Sequence, residues 1–287
     1  MLLFCILATL IYNEQMRLYK QDVFGKALFL KRILIFILGI ISHRRYRYFN
    51  TLQIEGSEII RELPYKNVLF VSNHQTYFAD VVAMFHVFNA SLSGRVNSIK
   101  DIGYLWKPKQ NLYFVAAKET MRSGLLPKIM AYAGAVSIER TWRSKGQEVQ
   151  RQVKMSDVNN ISKALKDGWL ITFPQGTTKP FKPIRRGTAH IIRENRPIVI
   201  PIVIDGFRRS FDKKGLLIKK KGVLQSFVIK PPLEFDYEND SVADIVEKIE
   251  YAIEQHPSFL KVPEVEKKKY FEQEEELNKK RTFWDNY

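Results

Sequence analysis

A chain of 287 residues, 45% of them hydrophobic, can bury one substantial domain with additions and needs neither disulfides nor metal to hold it together. Its single cysteine, Cys5, excludes an intramolecular disulfide and any cysteine metal cluster, and lies in an apolar stretch that suits packing. With 46 Lys and Arg against 30 Asp and Glu, the net charge of +16 favours an anionic partner: nucleic acid, or anionic lipid and phosphorylated ligands.

Residues 1–12 are apolar but lack a basic lead-in and a small-residue cleavage site, so they do not read as a signal peptide. A second apolar run, 27–41, is broken only by Lys31 and Arg32 and leads into a basic aromatic stretch, 43–49. Neither run reaches the ~20 clean apolar residues of a spanning helix. Short apolar helices with Lys, Arg, Tyr and Phe at their ends fit a segment lying in the membrane interface, or a shallow hairpin. The competing reading is two core helices.

Residues 49–55 read as a short strand stopped by Gly56, and 67–71 as a strand buried on both faces and ended by Ser72 and Asn73. His74 is therefore placed at a strand end. Residues 80–88 read as the first turns of a buried helix, with Asp80 where a carboxylate complements the positive helix end. Side chains six apart on a regular helix point to different faces, so 75–79 must include a loop or bulge if the two are to meet. A histidine acting as general base needs such a partner, which fixes its tautomer and stabilises the imidazolium. Alternatively, His74 merely ends a strand and Asp80 caps a helix.

Further on, strands are predicted at 112–117, ending at Lys118 and Glu119, at 134–141, emerging at Glu139 and Arg140, at 169–173 and at 197–204. Helices are predicted at 125–133, 153–167 and 188–193. This alternation argues for an α/β fold: a mixed, mostly parallel twisted sheet covered by helices on both faces, with the N-terminal apolar helical segment binding a membrane. Residues 216–229 alternate through Lys219 to Gly222 and read as a β-hairpin, while 241–255 read as an amphipathic helix capped by Ser241 with Asp244 at its third position. The Glu- and Lys-dense stretch 264–281 reads as a solvated helix or tail. The expected organisation is a membrane-associating segment over 1–48, a catalytic domain over 49–255 and a charged tail over 256–287.

Taken together, these strand ends resemble the glycerolipid acyltransferase family, which includes bacterial 1-acylglycerol-3-phosphate acyltransferases. Four blocks match in order: Asn73 and His74 with Asp80, the run from Gly134 to Arg140, the turn from Phe173 through Gln175, Gly176 and Thr177, and Ile200 to Ile202. Five residues separate His74 from Asp80 where the family has four, and Gln175 and Thr178 stand where it carries a glutamate and an arginine.

The resemblance implies His74 and Asp80 as the catalytic pair, with Lys118, Arg140, Gln175, Gly176 and Thr177 as substrate-binding residues. It implies direct acyl transfer from acyl-CoA or acyl carrier protein to a lysolipid hydroxyl, first of all that of 1-acylglycerol-3-phosphate, and no metal or redox cofactor. Gly176 and Thr177 are candidates to offer backbone N–H groups to an anion, and Arg140 to grip the acceptor phosphate. The expected partner surface is an anionic membrane rather than nucleic acid, at the cytoplasmic face of the plasma membrane. Two alternatives remain open: an acyltransferase for a phosphate-free lysolipid such as an N-acyl amino acid, and a non-catalytic protein that binds anionic lipid or nucleic acid.

Overall fold

The computed structural model of the chain describes residues 21–122, 124–139 and 155–260, together with the backbone of 143–144 and 147–148. The apolar run 1–12, Arg140 and the charged stretch from 261 onward lie outside the described residues.

The centre of the fold is β2, Val68–Ser72, whose five residues are all buried. Its neighbours β7 (Trp169–Thr172) and β8 (Ile198–Asp205) are nearly as apolar, as strands covered on both faces must be. Outward from β7 lie β3 (Leu112–Ala117) and β4 (Ala135–Ile138); outward from β8 lie β9 (Leu224–Ile229) and β1 (Thr51–Glu55). The seven strands stand in the order β1-β9-β8-β2-β7-β3-β4. From β8 to β4 every pairing is parallel, whereas β9 runs antiparallel to β8 and parallel to β1. The sheet is therefore mixed and mostly parallel, with helices on both sides.

On one face pack α1 (Leu28–Arg47) and α3 (Ala79–Leu92), which bury their apolar sides against Phe70, Phe114, Trp169 and Ile200. On the other lie α6 (Met155–Asp167), α7 (Arg186–Asn195) and α9 (Val242–Ala252), over Leu69, Val71, Leu170 and Val199. Ser241 and Asp244 close a capping box on α9, as their spacing predicts.

Two expectations change. The alternation over 216–229 does not make a hairpin: only Leu224–Ile229 is a strand, and its partners are β1 and β8. Asp212 takes the N–H groups of Leu216 and Leu217 on its carboxylate, and Lys219 N–H goes to the Ser210 carbonyl, so turn chemistry holds this segment as a loop. In α1, the charge that interrupts the apolar run points inward. Lys31 is fully buried, pairs with Asp22 at 3.3 Å and lies over the Tyr113 ring. Burial, opposed by Asp22, brings its ammonium down to about 8. The opposite side of α1 exposes Leu30, Ile37, Ile40 and Ile41, and no helix among the described residues is long and apolar enough to cross a membrane.

Candidate active site

All the strands from β8 to β4 end at one edge of the sheet, and the crevice outside the carboxyl ends of parallel strands is where open α/β sheets bind ligands. Past Ser72, Asn73 continues the ladder with its side chain, donating to the Ile204 carbonyl at 2.8 Å and accepting from the Ile204 N–H at 2.9 Å. That reciprocal pair fixes the start of the loop that follows.

His74 and Asp80 meet, with Nδ1 2.8 Å from Oδ2. The loop required by their spacing exists because Asp80, wholly buried at the start of α3, gathers it in. Its two oxygens accept from the Gln75 N–H at 2.6 Å, the Thr76 N–H at 3.0 Å and the Thr76 hydroxyl at 2.8 Å, besides the imidazole. Those oxygens act as acceptors toward every one of these donors, and toward Nδ1 of the imidazole they do the same. The His74 proton therefore sits on Nδ1, which leaves Nε2 unprotonated as the base. Phe173, the first residue after β7, stacks on the imidazole with centroids 3.9 Å apart. The histidine side chain keeps 13% of its surface open to solvent.

The remaining predicted residues are placed as follows. Gln175 is buried and its amide donates to the Lys182 carbonyl at 2.9 Å and to Gln255 Oε1 at 3.1 Å. Both partners are acceptors, so the amide orientation is fixed and the side chain serves the loop. Gly176, at φ +63°, closes the turn with its N–H on the Phe173 carbonyl, so that donor is not aimed at a ligand. Thr177 follows on the same turn. Lys118 lies two strands away from His74, paired with Glu139 at 3.2 Å and 3.7 Å from Asp157. It ties the ends of β3 and β4 together; Arg140 lies just beyond, outside the described residues.

Sequence reasoning missed Arg208. Its backbone N–H donates to Gln75 Oε1 at 3.1 Å, and its guanidinium bonds the carbonyls of His74 and Thr178, bridging the loops after β2 and β7. Its neighbour Arg209 pairs with Asp205, whereas no carboxylate among the described residues pairs with Arg208. Burial alone would push the Asp205 carboxyl up, but donors from Gln75, Gly206 and Arg209 hold it below the ordinary range. The available signal was a cation three residues past the end of the most apolar strand.

A family profile described as acyltransferase matches residues 51–205, more than half of the chain. The chain belongs to the acyltransferase family. The matched segment runs from β1 through β8 and so contains both His74 and Asp80. A 1-acyl-sn-glycerol-3-phosphate acyltransferase of Cocos nucifera is 24% identical over 222 residues, covering 76% of this acyltransferase chain. The chain spans 58% of that relative's length. The crystal structure of the 1-acyl-sn-glycerophosphate acyltransferase PlsC from Thermotoga maritima is similar at a TM-score of 0.49 and 19% identity, covering 76% of this chain and 75% of that one.

Proposed function

We propose that the protein is a membrane-associated O-acyltransferase that carries a fatty acyl group from acyl-CoA or acyl carrier protein to the free hydroxyl of a lysophospholipid, 1-acylglycerol-3-phosphate first, in phospholipid biosynthesis at the cytoplasmic face of the plasma membrane. The single observation that carries this reading is the His74–Asp80 pair at a ligand-binding sheet edge, with Nδ1 held and Nε2 left as the base. His74 Nε2 takes the hydroxyl proton as the acceptor oxygen bonds to the thioester carbonyl carbon. The carbon–sulfur bond then breaks, and the imidazolium, stabilised by Asp80, returns the proton to the leaving sulfur. No acyl-enzyme is needed.

The exposed apolar side of α1, with Arg44 and Arg47 at its end, supports membrane attachment. The names of the relatives support a phosphate-bearing acceptor. A second reading, a phosphate-free lysolipid, is favoured by the commitment of Gln175 to its own loop and by the neutral Thr178. Purified protein offered an acyl donor and a panel of lysolipids separates the two. Transfer to 1-acylglycerol-3-phosphate is expected; activity only on lysolipids without phosphate would overturn the first choice. On the phosphate-bearing acceptor, Arg140→Ala is expected to raise KM roughly tenfold, the loss of one charge-assisted contact, and to change little for a neutral acceptor.

A further inference from the structure

Residues 212–222 form a loop whose backbone is tied to the catalytic loop, whose Leu216 and Ile218 pack on the core, and whose five lysines and Leu217 are exposed. Tyr77 and Phe78 donate their N–H groups to the carbonyls of Lys213 and Lys214 at 3.2 and 3.0 Å. Gly215, at φ +75°, lies so close to the start of α3 that a Cβ there would fall 2.5 Å from the Ala79 nitrogen and 2.7 Å from Thr76 Oγ1. Meanwhile Lys213, Lys214, Lys219, Lys220 and Lys221 are exposed, and no carboxylate among the described residues pairs with any of them. Between the two lysine groups stands Leu217, an apolar side chain 69% exposed.

The loop also abuts the end of α1. Gly222 N–H bonds the Phe49 carbonyl at 2.7 Å, Lys221 lies over the Phe49 ring, and Phe211 packs edge-on against Tyr46. There the last turn of α1 adds Arg44, Arg45 and Arg47, and Tyr48 is 69% exposed. An apolar tip between cations, continuous with an exposed apolar helix side that ends in arginines, has the chemistry of a lipid interface: lysines at anionic headgroups, leucine and tyrosine below them.

We infer that the 212–222 loop is a second, charge-selective contact with an anionic phospholipid surface, seating the mouth of the His74 site at headgroup level. This rests on the membrane-bound acyltransferase reading above. Its partner is the bilayer surface itself, for which five like charges spread over one short loop suit a diffuse anionic plane better than one ligand.

The full chain carrying Cys5→Ser and Leu217→Cys, labelled at its one remaining thiol with an environment-sensitive fluorophore, reports on the loop directly. Vesicles containing phosphatidylglycerol are expected to shift its emission to the blue, at lipid concentrations at least about tenfold lower than pure phosphatidylcholine requires, and high salt should abolish the preference. Lys219→Glu, Lys220→Glu and Lys221→Glu together should remove it. A fluorophore that stays in water while the chain sediments with anionic vesicles overturns the inference. So does a shift caused by an acidic acyl carrier protein and not by vesicles. The emission needs no turnover, so a chain that shifts on anionic vesicles yet acylates no lysolipid supports the loop contact while refuting the enzymatic reading.

Discussion

Residues 73–78, which carry His74, and residues 173–185, which border it, leave neighbouring strands at the same edge of the sheet, yet apart from Arg208, which bonds a carbonyl in each, they are held by different parts of the chain. The first loop is bound within the core: Asn73 mimics a strand residue against Ile204, Asp80 collects three donors besides the imidazole, and Gly215 presses on its far side. The second is closed by Arg185 N–H on the Pro174 carbonyl and then leans on α9 and the turn after it. Gln255 accepts from Phe181 N–H and from Gln175, while Glu250 accepts from Ile184 N–H. The proposed proton-transfer group thus sits on the more tightly held element, where sub-ångström placement matters most. The loop proposed to meet the acceptor depends on a few polar contacts with a peripheral helix, and these can alter without disturbing the base.

If this division is right, damage to the first loop should appear in kcat and damage to the second in KM. The largest effect belongs to His74→Ala, expected to lower kcat by ~10²–10⁴-fold, the usual worth of a positioned general base. Circular dichroism and the melting temperature should stay close to wild type, because the side chain is partly open and packs mainly on Phe173. A variant keeping more than about a tenth of the wild-type rate would remove His74 from the chemistry. Next comes Gly215→Ala, at the contact with Thr76 and Ala79. The added Cβ meets backbone at 2.5 Å and forces a left-handed φ on alanine, a strain of ~1–3 kcal/mol. It should reduce kcat about 10- to 100-fold while leaving the acceptor KM within about threefold. A change confined to KM would show that the catalytic loop does not feel this contact.

The contrast also explains what could be read from the chain alone. The strands β2, β3, β7 and β8 were legible to within a residue or two because strands buried on both faces must be apolar throughout and must end in polar or glycine residues. The meeting of His74 with Asp80 was legible as a requirement, although two of the three donors that bend the loop are backbone N–H groups, which carry no side-chain signature. The second loop was hidden for a different reason. Gln175 reads as a ligand residue until Gln255, eighty positions later, is seen to hold it. Likewise, the hairpin expected over 216–229 followed a genuine alternation, but the choice of partner for β9 is made by β8 and β1 across the sheet. Lys31 reads only as a break in the apolar run 27–41, because its burial is revealed only by Asp22 and Tyr113.

A smaller effect tests where the rigidity of the first loop comes from. Two turns after Asp80, His86 is fully buried in α3, with Nε2 2.8 Å from Ser42 of α1 and Nδ1 2.8 Å from the Tyr104 hydroxyl. Burial, with His43 nearby, pushes its imidazole down to about 3. Because the folded value lies below the unfolded one of 6.5, the unfolded chain binds the extra proton first. Stability therefore falls as pH drops below about 6.5, and goes on falling until about 3. One pH unit below 6.5 the loss from this group is about 1.4 kcal/mol. Urea midpoints measured at pH 7 and pH 5.5 should differ accordingly, and His86→Gln should flatten that difference while lowering stability at pH 7. An equal pH slope in the variant would assign the acid sensitivity elsewhere.

The smallest effect is the most discriminating, because it acts on the second loop alone. Gln255→Ala removes the acceptor shared by Gln175 Nε2 and Phe181 N–H, at 3.1 and 2.9 Å. Phe181 is partly exposed, so water can take over its N–H, whereas Gln175 is buried and loses one of its two acceptors. The net loss is therefore about 1 kcal/mol rather than the full penalty of an orphaned buried donor. Spread over the loop proposed to meet the acceptor, this should raise the acceptor KM roughly fivefold. The donor KM and kcat should hardly move, since nothing between Gln255 and His74 passes through Asp80. Steady-state kinetics with each substrate varied in turn decides the matter. A fall in kcat comparable with that of Gly215→Ala would mean that the loop after β7 positions the histidine through the Phe173 ring, and that the two loops work as a single unit.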